Sequence, residues 1–151
     1  MEVVHSQQLP WTEALDHSQF KGRRKALGGD KLSCGLWELP PGKRSFPFHF
    51  HHGTEEALYV LSGKAKLRTT DGETRLGPGD FVSFPAGGPA HQIINEGSEP
   101  FVYLAISAGV GVDVVEYPDS GKIVCAVGKW PKVKRFVFDA ENQADYWEGE
   151  D

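Results

Sequence analysis

An all-β barrel or sandwich is the fold class that this sequence predicts, and three observations predict it. The 18 glycines and 10 prolines are scattered as punctuation, not gathered into a low-complexity tract. Between them lie short runs rich in Val, Phe, Tyr, Ile and Leu, the pattern of strands bounded by turns. At 151 residues, 39% apolar and 25% charged, the chain suits one globular domain that folds without disulfides.

The elements follow in order. Residues 1–30 read as a polar, irregular N-terminal arm, with room for a short helix from Thr12 and a solvated basic loop, Lys21-Gly22-Arg23-Arg24-Lys25. Residues 31–117 read as the barrel. In it Leu32–Leu39 ends at Pro40-Pro41-Gly42, Ser45–His51 at His52-Gly53, and Glu56–Leu61 at Ser62-Gly63. Lys64–Thr70 and Glu73–Leu76 flank Asp71-Gly72, a two-residue hairpin signal because glycine tolerates φ > 0. Phe81–Phe84, His91–Ile94 and Phe101–Ile106 complete the strands, and Asp80 reads as a turn residue. Residues 118–151 read as a C-terminal arm packing on the barrel or on a partner chain, with one strand, Arg135–Phe138, and an acidic, aromatic end.

Charge and composition exclude some classes of function. A net charge of −5 argues against nucleic acid or an anionic membrane as partner. The start, Met1-Glu2-Val3-Val4-His5, lacks the charged and apolar regions of a leader, and no run reaches membrane-spanning length. Cytoplasmic residence is therefore expected, with Cys34 and Cys125 as reduced thiols. The basic stretch Lys129–Arg135 reads as a solvated loop.

The chemistry lies mid-chain. His49-Phe50-His51 places two imidazoles at i and i+2, on one face of a strand. After a short turn Glu56 opens the next strand, and His91 follows a Gly- and Pro-bounded run. Three neutral imidazoles and a carboxylate make a mixed nitrogen and oxygen set for one divalent transition ion, Mn, Fe, Ni or Zn among the candidates. A lone histidine on an apolar strand is usually a packed side chain.

Gly42, six residues, His49-x-His51, four residues, Glu56, six residues and Gly63 resemble the first cupin motif. Gly79, five residues, Pro85-x-Gly87, three residues, His91, three residues and Asn95 resemble the second. Each departs from its motif by a one-residue loop insertion that leaves the four ligand positions intact. The chain is thus similar to small single-domain bacterial cupins, including those of mannose-6-phosphate-isomerase-like type. The resemblance implies a double-stranded β-helix, the cupin jelly-roll barrel. It also selects Glu56 over Glu55, and His49 and His51 over His52, as metal ligands beside His91.

Strand alternation describes the pocket. With His49, His51, Glu56 and His91 inward, Trp37, Leu39, Leu58, Val60 and Ile93 join them, and the inward cation candidates are limited to Lys43 or Arg44 at the mouth. Phosphorylated sugars need a cationic clamp. The expected function is therefore a metal-dependent, dioxygenase-like enzyme on a small neutral or aromatic ligand, with Glu56 also accepting a proton. A non-catalytic sensor and a sugar isomerase or epimerase are the alternatives. Phe46, Phe48, Phe50, Ala57, Tyr59 and Leu61 fall on the outward face, an apolar patch that predicts a homodimer.

Overall fold

The computed structural model describes residues 3–109, 111–128 and 132–150. Met1, Glu2 and residues 129–131 of the basic stretch lie outside them. The chain forms β1 (Thr12–His17), β2 (Phe20–Gly28), β3 (Leu32–Leu39), β4 (Phe50–His51), β5 (Glu55–Ser62), β6 (Ala65–Thr69) and β7 (Gly72–Leu76). There follow β8 (Phe81–Phe84), β9 (His91–Ile94), β10 (Phe101–Ala108), β11 (Val112–Tyr117), β12 (Lys122–Val127) and β13 (Lys134–Asp139). All strand pairings between these elements are antiparallel, in three sheets ordered β1-β2-β3-β10-β5-β8, β13-β12-β11-β4 and β7-β6-β9. Together they make the jelly-roll barrel. The described helices are two three-residue 3-10 turns, and none is long and apolar enough to cross a membrane.

The core lies between the six-stranded sheet and β7-β6-β9. Trp37, Leu39, Leu58, Val60, Ala65, Leu67, Leu76, Phe84, Ile93, Phe101 and Tyr103 form one buried cluster. The inward residues expected on β3, β5 and β9, Trp37, Leu39, Leu58, Val60 and Ile93, all enter this cluster, as do Ala65 and Leu67 of β6. Two motif residues have structural roles. Gly63 sits at φ 78°, and a Cβ there would lie 2.3 Å from the Pro100 carbonyl oxygen, so only glycine fits. Asn95 is wholly buried; its Nδ2 donates to the Leu39 and Glu99 carbonyls at 2.9 Å each, and its Oδ1 accepts from the Gly97 N–H at 2.9 Å. Asp80 caps its turn, Oδ2 accepting the Gly77 N–H at 2.7 Å.

Several expectations are corrected. The N-terminal arm is not irregular: β1 and β2 form a hairpin added to β3, and Thr12 opens a strand, not a helix. The basic run 21–25 is part of β2, where pairing with the exposed edge of β3 overrides its weak strand propensity. The C-terminal arm is likewise ordered, with β12 and β13 extending β11. At the β6–β7 hairpin Thr69 pairs with Gly72, so the two loop residues are Thr70 and Asp71. Cys34 and Cys125 are free thiols.

The segment 45–51 departs most from regular pleating. Only Phe50 and His51 are a strand, and the stretch before them touches β9 through isolated bridges, Arg44 to Ile94 and His49 to His91. Pro47 lacks the N–H that a continuous ladder needs. The alternation therefore slips, and Phe48, expected outside, is 7% exposed beneath the Arg68 guanidinium, 3.9 Å from its ring centroid. Phe50 lines the cleft described below.

Candidate metal centre

Backbone pairing brings the two motifs together. His49 and His91 exchange hydrogen bonds, His49 N–H to His91 O at 3.2 Å and His91 N–H to His49 O at 2.8 Å. The Gly87 N–H binds the His51 carbonyl at 2.7 Å, joining the second motif's loop to the first. Glu56, near the start of β5, stands opposite Phe84 on β8.

The side chains then converge. Ligand atoms of His49, His51 and Glu56 lie within 4.8 Å of one another. Glu56 Oε2 is 3.4 Å from His51 Nε2 and 3.6 Å from His91 Nε2, and the His49 and His91 ring centroids are 4.7 Å apart. Donors about 2.0–2.3 Å from a shared ion stand about 3–4.5 Å from each other, so these spacings fit one.

Hydrogen bonding sets the tautomers. A carbonyl oxygen only accepts, so His49 Nδ1 carries the hydrogen it gives Pro47 O at 2.7 Å. His51 Nδ1 donates in the same way to Asp113 Oδ2 at 2.6 Å. Both rings are left with an Nε2 lone pair, the condition for ligation. His91 Nδ1 is buried without a hydrogen-bond partner among the described residues, and its ring lies on Phe84.

Electrostatics agree with this donor set. Burial, reinforced by the neighbouring His91, drives His49 down to about 4, so it is neutral at physiological pH. Burial pushes Glu56 up, but the hydrogen bond to His91 and the three imidazoles outweigh it and hold the carboxyl below its ordinary value. A narrow cleft opens onto the cluster, lined by Phe50, His51, Thr54, Glu56, Phe84, Pro85, Pro89 and His91.

All four sequence-predicted ligands are thus brought together. Three neighbours were not foreseen: Phe84; Tyr117, stacked on His49 at 5.8 Å; and Asp113. Asp113 had one legible signal, a lone carboxylate at the start of an otherwise apolar run, Val112-Asp113-Val114-Val115. Arg24 stands opposite the inward Trp37, its guanidinium 5.8 Å from that ring, and burial lowers its pKa. A cation therefore does reach the inner face of the sheet, contrary to expectation, because the presumed loop is a strand.

The family model of the cupin domain matches residues 35–107. The chain is 36% identical over 103 residues to a glucose-6-phosphate isomerase of Thermococcus kodakarensis, covering 60% of this chain and 54% of the relative. It spans 46% to 61% of the length of the curated relatives it matches. A crystal structure of a provisionally assigned sugar phosphate isomerase from Acidithiobacillus ferrooxidans superposes with a TM-score of 0.75 at 34% identity, covering 83% of this chain and 80% of that one. A sugar phosphate isomerase structure from Silicibacter pomeroyi has the same fold over 97% of this chain and 98% of its own, with a TM-score of 0.80 at 20% identity. With both motifs paired in space and this match to family and fold, the chain belongs to the cupin superfamily.

Proposed function

We propose that the chain is a metal-dependent aldose–ketose isomerase acting on a phosphorylated sugar. The observation that carries this reading is the convergence of His49, His51, Glu56 and His91 at one cleft, in a chain similar to glucose-6-phosphate isomerases. Aldose–ketose interconversion moves one proton between adjacent carbons and another between their oxygens, and a carboxylate beside them is one group that can serve as the base. A divalent ion held by the three imidazoles and Glu56 would supply Lewis-acid polarisation of the sugar oxygens. Glu56 Oε2 faces His51 and His91, and Oε1 would carry the transferred proton.

A second reading, a dioxygenase-like enzyme on a neutral or aromatic substrate, is favoured by the apolar walls Phe50, Phe84, Pro85 and Pro89. One experiment separates the readings. Protein loaded in turn with Mn, Fe, Ni and Zn is given glucose 6-phosphate or fructose 6-phosphate, and the sugars are followed by NMR. Interconversion that stops on chelation and returns with metal is expected. Oxygen uptake on aromatic enols without isomerisation supports the second reading, and tight sugar-phosphate binding without turnover makes the chain a sensor.

The reading includes a homodimer. Tyr59 and Phe81 are cross-strand partners on β5 and β8, 40% and 62% exposed, with Leu61 beside them at 44%. Phe46, expected on this face, instead packs against Trp37 at 5.5 Å and His49 at 6.0 Å between ring centroids, and Phe48 is buried, so neither belongs to the patch. A contiguous apolar face of this kind marks a contact surface, and a two-fold pairing is the commonest way to cover it.

A further inference from the structure

We infer that Asp113, outside both motifs, is the positioning residue that orients His51 for metal binding. The inference rests on the metal-site reading above. Its basis is a juxtaposition of residues 62 apart in sequence: Asp113 Oδ2 accepts the His51 Nδ1 hydrogen at 2.6 Å. The other oxygen, Oδ1, accepts the Gly53 N–H at 2.9 Å, and the Thr54 side chain also bonds the carboxylate. One carboxylate therefore holds both the ring of His51 and the turn that leads from it toward Glu56.

The register of β11 puts Asp113 there. Val115 pairs with His51 and Glu116 with Phe50, so Asp113, two residues before Val115, shares its face and reaches past the end of β4 over residues 52–54. The His52 N–H to Val114 O bond at 2.9 Å and the His52–Glu116 contact at 2.7 Å pin that register from the backbone and from exposed side chains. A one-residue slip would turn Asp113 to the opposite face. Both partners are well shielded, His51 at 19% and Asp113 at 11% side-chain exposure, so water competes poorly for the bond. A carboxylate at Nδ1 selects the Nδ1–H tautomer and leaves the Nε2 lone pair aimed at the cluster.

The test is Asp113→Asn. The amide can still accept from Gly53, but turning its NH₂ toward His51 requires that ring to accept at Nδ1 and so to carry its hydrogen on Nε2. Zinc affinity, measured by competition with a chromophoric chelator, should fall about 10–100-fold. In metal-free protein labelled with ¹⁵N-histidine, two-bond couplings should show His51 as the Nδ1–H tautomer in wild type and the Nε2–H tautomer in the variant. Asp113→Glu restores a carboxylate and should recover most of the lost affinity. Equal losses in the Asn and Glu variants with an unchanged tautomer would overturn the proposal, leaving Asp113 a mere brace for the turn. If Asp113→Asn does not fold, an Nε2–H tautomer in metal-free wild type overturns it as well. Wild type that binds no zinc defeats the metal reading itself, whereas normal zinc binding unaffected by Asp113→Asn defeats only this inference.

Discussion

Phe84 lies flat against the imidazole of His91, their ring centroids 3.8 Å apart and their planes inclined by 14°. Phe84 is also the cross-strand partner of Glu56, so one aromatic side chain backs two groups of the candidate centre. It is 8% exposed and belongs to the core cluster. Phe84→Ala should cost about 3 kcal/mol in urea unfolding, the ordinary scale for truncating a buried phenylalanine. It should also weaken metal binding, because His91 loses the wall that holds its ring. Phe84→Leu keeps most of the volume and should lose less of both.

His49→Ala, His51→Ala and Glu56→Ala should each abolish stoichiometric metal, since each removes a donor from a mutually close set. Elemental analysis of protein purified after growth with Mn, Fe, Ni or Zn provides the measurement. Wild-type protein without any bound ion under all four conditions would defeat the assignment.

The Arg68–Asp119 pair should make stability depend on acid. Arg68 grips Asp119 through two nitrogens at 2.6 and 2.8 Å while its guanidinium covers Phe48. Hydrogen bonding to Arg68 holds the Asp119 carboxyl below its ordinary value. Its stabilisation is therefore present above the unfolded carboxylate pKa of about 3.9 and is lost as pH falls through the lower folded value. Both side chains are about a third or more exposed, so Asp119→Asn should cost only about 0.5 kcal/mol at neutral pH. Urea titrations should show that difference shrink as pH falls below the unfolded carboxylate value and vanish once Asp119 is protonated in the folded chain.

Light scattering at micromolar concentration should report about twice the 16.6 kDa chain mass. Phe81→Glu and Tyr59→Glu, both on the exposed outer face, should shift it toward one chain mass. Phe48→Glu should instead destabilise the chain, because Phe48 is buried within its own barrel. A wild-type mass that stays at one chain at high concentration would mean that no partner covers this face.

How much was legible depended on whether a feature is local. Strands β3, β8 and β9 carry the boundaries that their apolar runs and flanking Gly, Pro or Asn residues predict, since alternation and turn chemistry are properties of neighbouring residues. The four converging side chains were legible through the resemblance to the two cupin motifs, whereas alternation by itself places only His49 and His51 on one face. What tertiary structure alone decided lies in pairings across distance. The hairpin β1–β2 exists because β3 offers it an edge, which makes Arg24 an inner-face residue and not part of a solvated loop. The slip at Pro47 buries Phe48, and the register of β11 against β4 sets Asp113 on His51. Such contacts join residues tens of positions apart through backbone hydrogen bonds that any side chain permits, so no local pattern of residues announces them.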